Sequence, residues 1–366
     1  MLDMKKTLTA KLTLIKRLLK IGPGLLMAAP SLVLHGSPLK TDEDIIFFPT
    51  SATQNQDGVW KIPVHVWLYE LDKNSIIRML SVEAVAELLE YMDVTEEQTK
   101  LPVFKERIKW FLVDNESNKR INIKLDNQIH TSPRSGLNGH SLFDISSKSG
   151  NTGDWVKIPV HMPEGDERTF YAETQLIPRQ GLSVISDIDD TLKPSNVLDK
   201  KALIQSVFFK DYHAVEGMPA FFQHLSNEGA YFHYLSSSPW QMYPLLKPLL
   251  DQYYPKGSLN LRNFNPTNRS FFKFFGSSEV YKISKTMNII DRYPEHQFIL
   301  IGDSGEKDPE VYARIYREYP HNIKHILIRA VEGSNLHTSR FEEVFRDIPK
   351  GKWKVFSEPS HSLLEE

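Results

Sequence analysis

The hydrophobic pattern of this chain changes period near residue 181. Before it, from residue 41, short runs rich in β-branched and aromatic residues partly alternate with polar ones, at 45–48, 60–69, 121–125 and 169–176. A period of two predicts strands that bury one face. Segments 82–91 and 103–112 read as helices that interrupt the series. Segments 131–139 and 146–153 are rich in Gly, Ser and Asn and predict loops. Lys61-Ile-Pro-Val-His65 recurs as Lys157-Ile-Pro-Val-His161, each beside a Trp and a Val. Five residues do not establish a repeat, and chance is the safer account.

After residue 181 the alternation is between whole elements. Apolar runs at 182–186, 231–235, 298–301 and 325–328 are separated by helical patterns at 201–210, 219–228, 240–253, 283–292 and 309–319. Strands that alternate with helices predict a doubly wound α/β arrangement, a parallel sheet covered on both faces. In such sheets, ligands bind at the carboxyl ends of the strands. The expected organisation is a basic and apolar leader over 1–40, a mostly β accessory domain over 41–180, the α/β domain over 181–350 and a C-terminal tail over 351–366.

Composition narrows the class. A chain of 366 residues, 40% hydrophobic and 25% charged, suits two ordinary globular domains. The net charge of -2 offers no global basic field, so nucleic acid is not an expected partner. There is no cysteine, which excludes disulfides, Cys-ligated zinc and a thiol nucleophile.

The leader departs from the whole. Lys5, Lys6, Lys11, Lys16, Arg17 and Lys20 face one acid, Asp3, while Leu8, Leu12, Ile15 and Leu19 recur at helical spacing. Residues 21–34 are apolar but broken by Gly22, Pro23, Gly24 and Pro30, so a spanning helix is not expected. Two functional readings compete: an amphipathic helix on anionic lipid, and an export signal with a long basic region. A frayed, solvated leader is the plain alternative. The expected location is the cytoplasm or a membrane surface, with export as the alternative.

The chemistry concentrates at predicted strand ends. In Ile185-Ser-Asp-Ile-Asp-Asp-Thr-Leu-Lys193, three aspartates, Asp187, Asp189 and Asp190, crowd into four positions after an apolar run. Like charges this close raise each other's pKa unless a cation or hydrogen bonds compensate. The run 231–235 enters Ser236-Ser237-Ser238-Pro239, and the run 298–301 enters Gly302-Asp303-Ser304-Gly305-Glu306-Lys307-Asp308. Lys282 starts the helix between them. Converging strand ends would gather carboxylates, a hydroxyl and an ammonium group. Asp187 and Asp303 then suit Mg²⁺, a hard cation that prefers oxygen ligands. Asp187 can attack a phosphate ester to form an aspartyl-phosphate. Asp189, two residues on, can protonate the leaving oxygen and later deprotonate water. Ser236 and Lys282 would hold the phosphoryl oxygens.

These residues carry a resemblance. Asp187-Ile-Asp-Asp-Thr191, Ser236, Lys282 and Gly302-Asp303 with Asp308 are similar to the four motifs of the haloacid-dehalogenase-like (HAD-like) phosphatases. DIDDTLK at 187–193, YLSSSPWQ at 234–241 and LIGDSGEKDPEVY at 300–312 resemble the actin-patch-type phosphatidate phosphatases, which share lipin-like chemistry. Leu192-Lys193 stands where the family has Ile-Lys. The resemblance covers roughly residues 181–330 and implies a HAD-like, Rossmannoid fold and a Mg²⁺-dependent phosphatidate phosphatase of lipid metabolism. It implies Asp187 as nucleophile and metal ligand, and Asp189 as general acid/base that also offers its backbone carbonyl to the metal. Thr191 and Ser236 would contact phosphate or orient the nucleophile. Lys282 would neutralise charge, Asp303 would complete the metal ligands, and Asp308 would support the lysine or the metal's waters from behind.

Plainer readings stand beside these. Ser237 and Ser238 compete with Ser236, and Lys285 competes with Lys282. Lys193 and Arg262 read as ordinary surface cations, Trp240 and Tyr243 as core, and His213 and His233 as structural. The stretches between motifs are each about forty residues by count, leaving little for a large cap, so an open site is expected. The expected partner is a phospholipid, with peripheral membrane contact. The alternative substrate is a soluble phosphomonoester or a phosphoprotein. A receiver-like module or a non-catalytic lipid-binding scaffold ranks behind both, because a receiver lacks the acid at Asp189 and a scaffold would not keep the whole set.

Overall fold

The computed structural model of the chain describes residues 37–71, 94–263, 279–331, 333 and 338–365. The leader up to residue 36 and the helix expected at 82–91 lie outside the described residues. No helix among the described residues is long and apolar enough to cross a membrane.

The first half is strand-rich. β1 (Glu43–Phe48), β2 (Thr50–Gln54) and β3 (Trp60–Glu70) are followed by helices α1 (Glu96–Lys100) and α2 (Pro102–Ile108), then by β4 (Asp114–Asn115), β5 (Asn122–Leu125), β6 (Gln128–Thr131), β7 (His140–Ser147), β8 (Trp155–His161) and β9 (Tyr171–Leu176). They form one sheet in the order β1-β3-β2-β9-β8-β5-β6, with β4 and β7 also on β3. The recurring Lys-Ile-Pro-Val-His segment lies in β3 and again in β8. In both copies the Ile is buried and the Lys exposed, as one-sided burial requires.

The second half holds β10 (Gln180–Asp187), α3 (Lys200–Phe209), α4 (Met218–Asn227), β11 (Tyr231–Pro239), α5 (Tyr243–Tyr253), β12 (Ser258–Arg262), α6 (Glu279–Arg292), β13 (Glu295–Asp303), α7 (Asp308–Glu318), β14 (Ile323–Arg329), α8 (Thr338–Val344) and β15 (Trp353–Phe356). All six strands are parallel, in the order β12-β11-β10-β13-β14-β15. The chain builds outward from β10 to β12, then returns to the other side of β10 with β13. That reversal leaves a crevice between the carboxyl ends of the central strands. Residues 351–366 were expected to be a tail, yet β15 lies within them and pairs with β14.

Burial on both faces explains why these strands read as unbroken apolar runs. Val184, Ile299 and Ile301 enter one core, while Ile185, Leu300 and Phe298 enter the other. The first core continues into the strand-rich half through Phe48, Trp67, Phe104 and Phe111. Polar bonds reinforce that junction. Arg107 donates to the carbonyls of Ser206, Val207 and Lys210 at 3.3, 2.8 and 2.6 Å, where α3 ends. Tyr293 donates to the carbonyl of Ala52 at 3.1 Å.

Candidate active site

β10 ends on Asp187 and its neighbour β13 ends on Asp303, so parallel pairing brings two carboxylates to one edge of the sheet. α7 adds Asp308 in its first turn, where a carboxylate complements the helix dipole. Carboxylate oxygens of Asp187, Asp303 and Asp308 all lie within 4.8 Å of one another, and all three residues are buried. Gly302 makes this approach possible, because a Cβ there would stand 2.4 Å from Asp308 Oδ2.

Lys282, on α6, is the cation in their midst. Its ammonium lies 2.8 Å from Asp187 Oδ1, 2.6 Å from Asp308 Oδ1 and 2.8 Å from Glu306. Burial pushes the carboxyl of Asp187 well up. Lys282 opposes that shift, while Asp308, Glu306 and Asp303 add to it. Burial and Asp308 likewise raise Asp303. Burial would lower the pKa of Lys282, but Asp187, Asp308 and Glu306 outweigh it and hold the ammonium charged. Asp303 Oδ1 accepts the N–H groups of Gly305 and Glu306 at 2.6 and 2.9 Å, and its Oδ2 has no partner. One lysine among four carboxylates, with a buried carboxylate oxygen left unbonded, is a donor set short of positive charge. A hard divalent cation fits it.

Asp189 is turned to a different set of donors. Its Oδ1 accepts from Lys193 and Ser195, both at 2.8 Å, and its Oδ2 from Ser236 at 2.9 Å and Ser238 at 3.0 Å. Burial would raise its pKa, but Lys193 and these hydrogen bonds outweigh that and hold it well below the usual carboxylate range. Thr191 donates to Asp187 Oδ2 at 3.4 Å.

The structure therefore brings together Asp187, Asp303, Asp308 and Lys282, with Asp189, Thr191 and Ser236 alongside. The carboxylate of Asp189 is not in the three-acid cluster, whereas that of Asp308 is. Ser236 and Ser238 both bond Asp189, while the buried hydroxyl of Ser237 has no partner. Lys193 departs from expectation: it is 1% exposed, paired with Asp189, and 4.9 Å over the Tyr212 ring. Its place two residues after an acidic turn gave no signal of burial, because the fold of residues 188–199 decides it. Ser195 was also missed, two residues beyond DIDDTLK and drawn in by loop geometry; Glu306, inside the 300–312 stretch, carried no expected role, and Ser238, the alternative to Ser236, bonds Asp189 beside it. His233 is structural as expected, with Nδ1 2.8 Å from Ser258 Oγ.

Asp190, the third acid of the opening cluster, holds the loop together. It adopts φ 54°, and its carboxylate accepts the N–H groups of Ser195, Asn196 and Val197 at 2.6, 3.1 and 2.6 Å. Arg329 donates to its carbonyl at 2.7 Å. Asp190→Ala leaves three N–H groups without their acceptor and is expected to cost about 3 kcal/mol of stability in urea unfolding. Asp190→Asn tolerates the left-handed backbone and is expected to lose less. An Asp190→Ala variant of native stability but no activity would instead place this side chain in the chemistry.

The fold thus gathers acids and a lysine at the switch point of a parallel sheet. Residues 182–330 match the family model described as phosphatidate phosphatase APP1, catalytic domain. The chain is 29% identical over 277 residues to the protein of Saccharomyces cerevisiae named phosphatidate phosphatase APP1, covering 70% of this chain and 45% of that one. It is 30% identical over 169 residues to an uncharacterized protein of Schizosaccharomyces pombe, covering 45% of this chain and 27% of that one. Over residues 182–330 the chain is similar to that catalytic domain, and DIDDTLK and its companion motifs lie within the match. It spans less than half the length of these relatives. A solved Thermotoga maritima chain described as a beta-phosphoglucomutase superposes with a TM-score of 0.31 at 13% identity, covering 50% of this chain and 96% of that one.

Proposed function

We propose that this chain is a Mg²⁺-dependent phosphatase acting through an aspartyl-phosphate, with phosphatidate as its substrate and diacylglycerol and phosphate as products. The observation that carries the reading is the meeting of Asp187, Asp303 and Asp308 around Lys282 at adjacent strand ends. The family match supports the substrate. The strand order, with its reversal beside Asp187, supports a doubly wound, HAD-like fold for residues 181–350. The strand-rich residues 41–180 are then an accessory domain packed against it.

Asp187, Asp303 and Asp308, with the backbone carbonyl of Asp189, would hold the metal. Bound there, Mg²⁺ would supply positive charge beside the phosphate oxygens. Asp187 attacks phosphorus with its free carboxylate oxygen. Lys282 faces that oxygen pair and offsets the charge that spreads over the phosphoryl oxygens. Ser236 and Ser238, now bonded to Asp189, turn their hydroxyls to the incoming phosphoryl group. That exchange releases two of the four donors on Asp189, which raises its pKa, so that its carboxyl takes up a proton from solvent and passes it to the leaving oxygen. In the second half-reaction Asp189 takes a proton from the water that opens the aspartyl-phosphate. Thr191 holds Asp187 in line.

Phosphate release from phosphatidate in mixed micelles tests the proposal, beside a panel of soluble phosphomonoesters. Release with Mg²⁺ is expected to fall to background in EDTA. Release from soluble esters alone would keep the chemistry and discard the lipid. Release that EDTA leaves intact would remove the metal from the scheme.

A further inference from the structure

A cleft of about 430 Å³ lies between the two sheets. None of Asp187, Asp189, Ser236, Lys282, Asp303 and Asp308 lines it. Along one wall runs α6, which presents Lys285, Ile289 and Arg292. Steps of four and three residues put these on one helix face, over about 10 Å of axis. Leu259 and Leu261 of β12, with Trp240 and Leu142, are among its apolar lining.

The charges in the cleft do not balance. Lys61 lines it too and pairs with the lining acid Asp144 at 3.0 Å, so neither leaves charge over. Arg292 donates to the carbonyl of Ser51 and lies 5.5 Å over the Tyr293 ring, with no carboxylate among the described residues. Lys285 has neither a hydrogen bond nor an ion pair among the described residues. Burial lowers its pKa, and the charge of Arg292 lowers it further. His65, another lining residue, adds no charge at neutral pH, because burial and then Lys285 hold it down to about 3. A half-buried ammonium with no partner costs the folded chain free energy. Here it faces a cavity whose walls mix apolar side chains with Thr50, Ser51, Ser258 and Asn260, with room for a small molecule.

We propose that this cleft binds an amphipathic anion, whose head group pairs with Lys285 and whose apolar chain lies along Ile289, Leu259 and Leu261. A fatty acid and an anionic phospholipid share that chemistry. The proposal rests on the cleft alone and is independent of how Asp187 is read.

The test is titration calorimetry of the full chain in EDTA with dodecanoate, with dihexanoyl phosphatidate below its micellar concentration, and with inorganic phosphate. Dodecanoate is expected to bind once per chain, about ten-fold or more weakly in Lys285→Met, and unchanged in Asp187→Asn. Methionine keeps the length and apolar contacts of the lysine stem. Lacking the unpaired charge, Lys285→Met is expected to melt no lower than the native chain, so lost binding reports recognition rather than unfolding. Phosphatidate binding that weakens in the same variant admits a phospholipid as the occupant. Phosphatidate binding indifferent to Lys285→Met, beside weakened dodecanoate, assigns the cleft to carboxylates. Absent dodecanoate binding, equal binding in Lys285→Met, or inorganic phosphate bound as tightly at Lys285 would overturn the proposal.

Discussion

Asp187→Asn is expected to abolish phosphate release while leaving the fold intact. The loss should reach about 10⁴-fold or more in kcat, the scale seen when an enzyme loses its nucleophile. An amide keeps the shape of the carboxylate but cannot attack phosphorus at a useful rate. The stability side has its own sign. Asp187 lies 2.8 Å from Lys282, yet burial, and after it three further acids, push its pKa up. Neutralising it removes one repelling charge, and Lys282 keeps Asp308 and Glu306. The two effects oppose, so unfolding free energy should change by no more than about 1 kcal/mol. Single-turnover phosphate release and urea unfolding on the same preparation check both halves. Turnover at the native rate would sink the aspartyl-phosphate mechanism.

Lys282→Ala is expected to damage both activity and fold. Its buried ammonium touches three carboxylates. Removing one partner of a buried ion pair leaves charges without compensation, at about 3–5 kcal/mol. The same deletion removes a positive charge facing the phosphoryl oxygens, and kcat should fall about 10²- to 10³-fold. The two losses separate by adding Mg²⁺. A cation bound by Asp187, Asp303 and Asp308 replaces the missing charge in the folded state and raises the melting temperature more in Lys282→Ala than in the native chain. Activity should not return with it, because the metal cannot stand where the lysine contacted the substrate. A variant with native activity would move the neutralising role elsewhere, and Lys285 is the sequence neighbour to suspect. Lys285 lies one turn along the same helix and lines the cleft between the sheets.

Much of the second half was legible in the sequence, and the reason is burial. Parallel strands covered on both faces must be apolar throughout, so Phe298-Ile299-Leu300-Ile301 reads as a strand without its neighbours. The acids mark strand ends because nothing else would place charge straight after such a run. The first half was harder to read. Its strands bury one face, their alternation is partial, and short ones such as β2, β4 and β6 carry too few residues for a period to show. β12 and β15 at the sheet edges escaped for the same reason. The recurring Lys-Ile-Pro-Val-His segment lies in two strands of one sheet, and the copies share only the exposed Lys and the buried Ile.

By itself the sequence determined the chemical inventory: three aspartates after one strand, a serine after the next, a lysine opening a helix, and a Gly-Asp pair with Asp308 five residues on. Chain order and strand ends follow from local pattern, and local pattern is written in consecutive residues. Only the tertiary structure decided how that inventory is divided. Asp308 joins Asp187 and Asp303 because Gly302 lets it approach. Asp189 is turned away to Lys193, Ser195 and the serines, and Asp190 becomes the acceptor that holds the loop. Lys193 is buried and paired with Asp189, while Lys285 has no ion pair among the described residues. Those assignments depend on which side chains meet across strands and helices far apart in the chain, and no spacing along the sequence encodes a distance across a crevice.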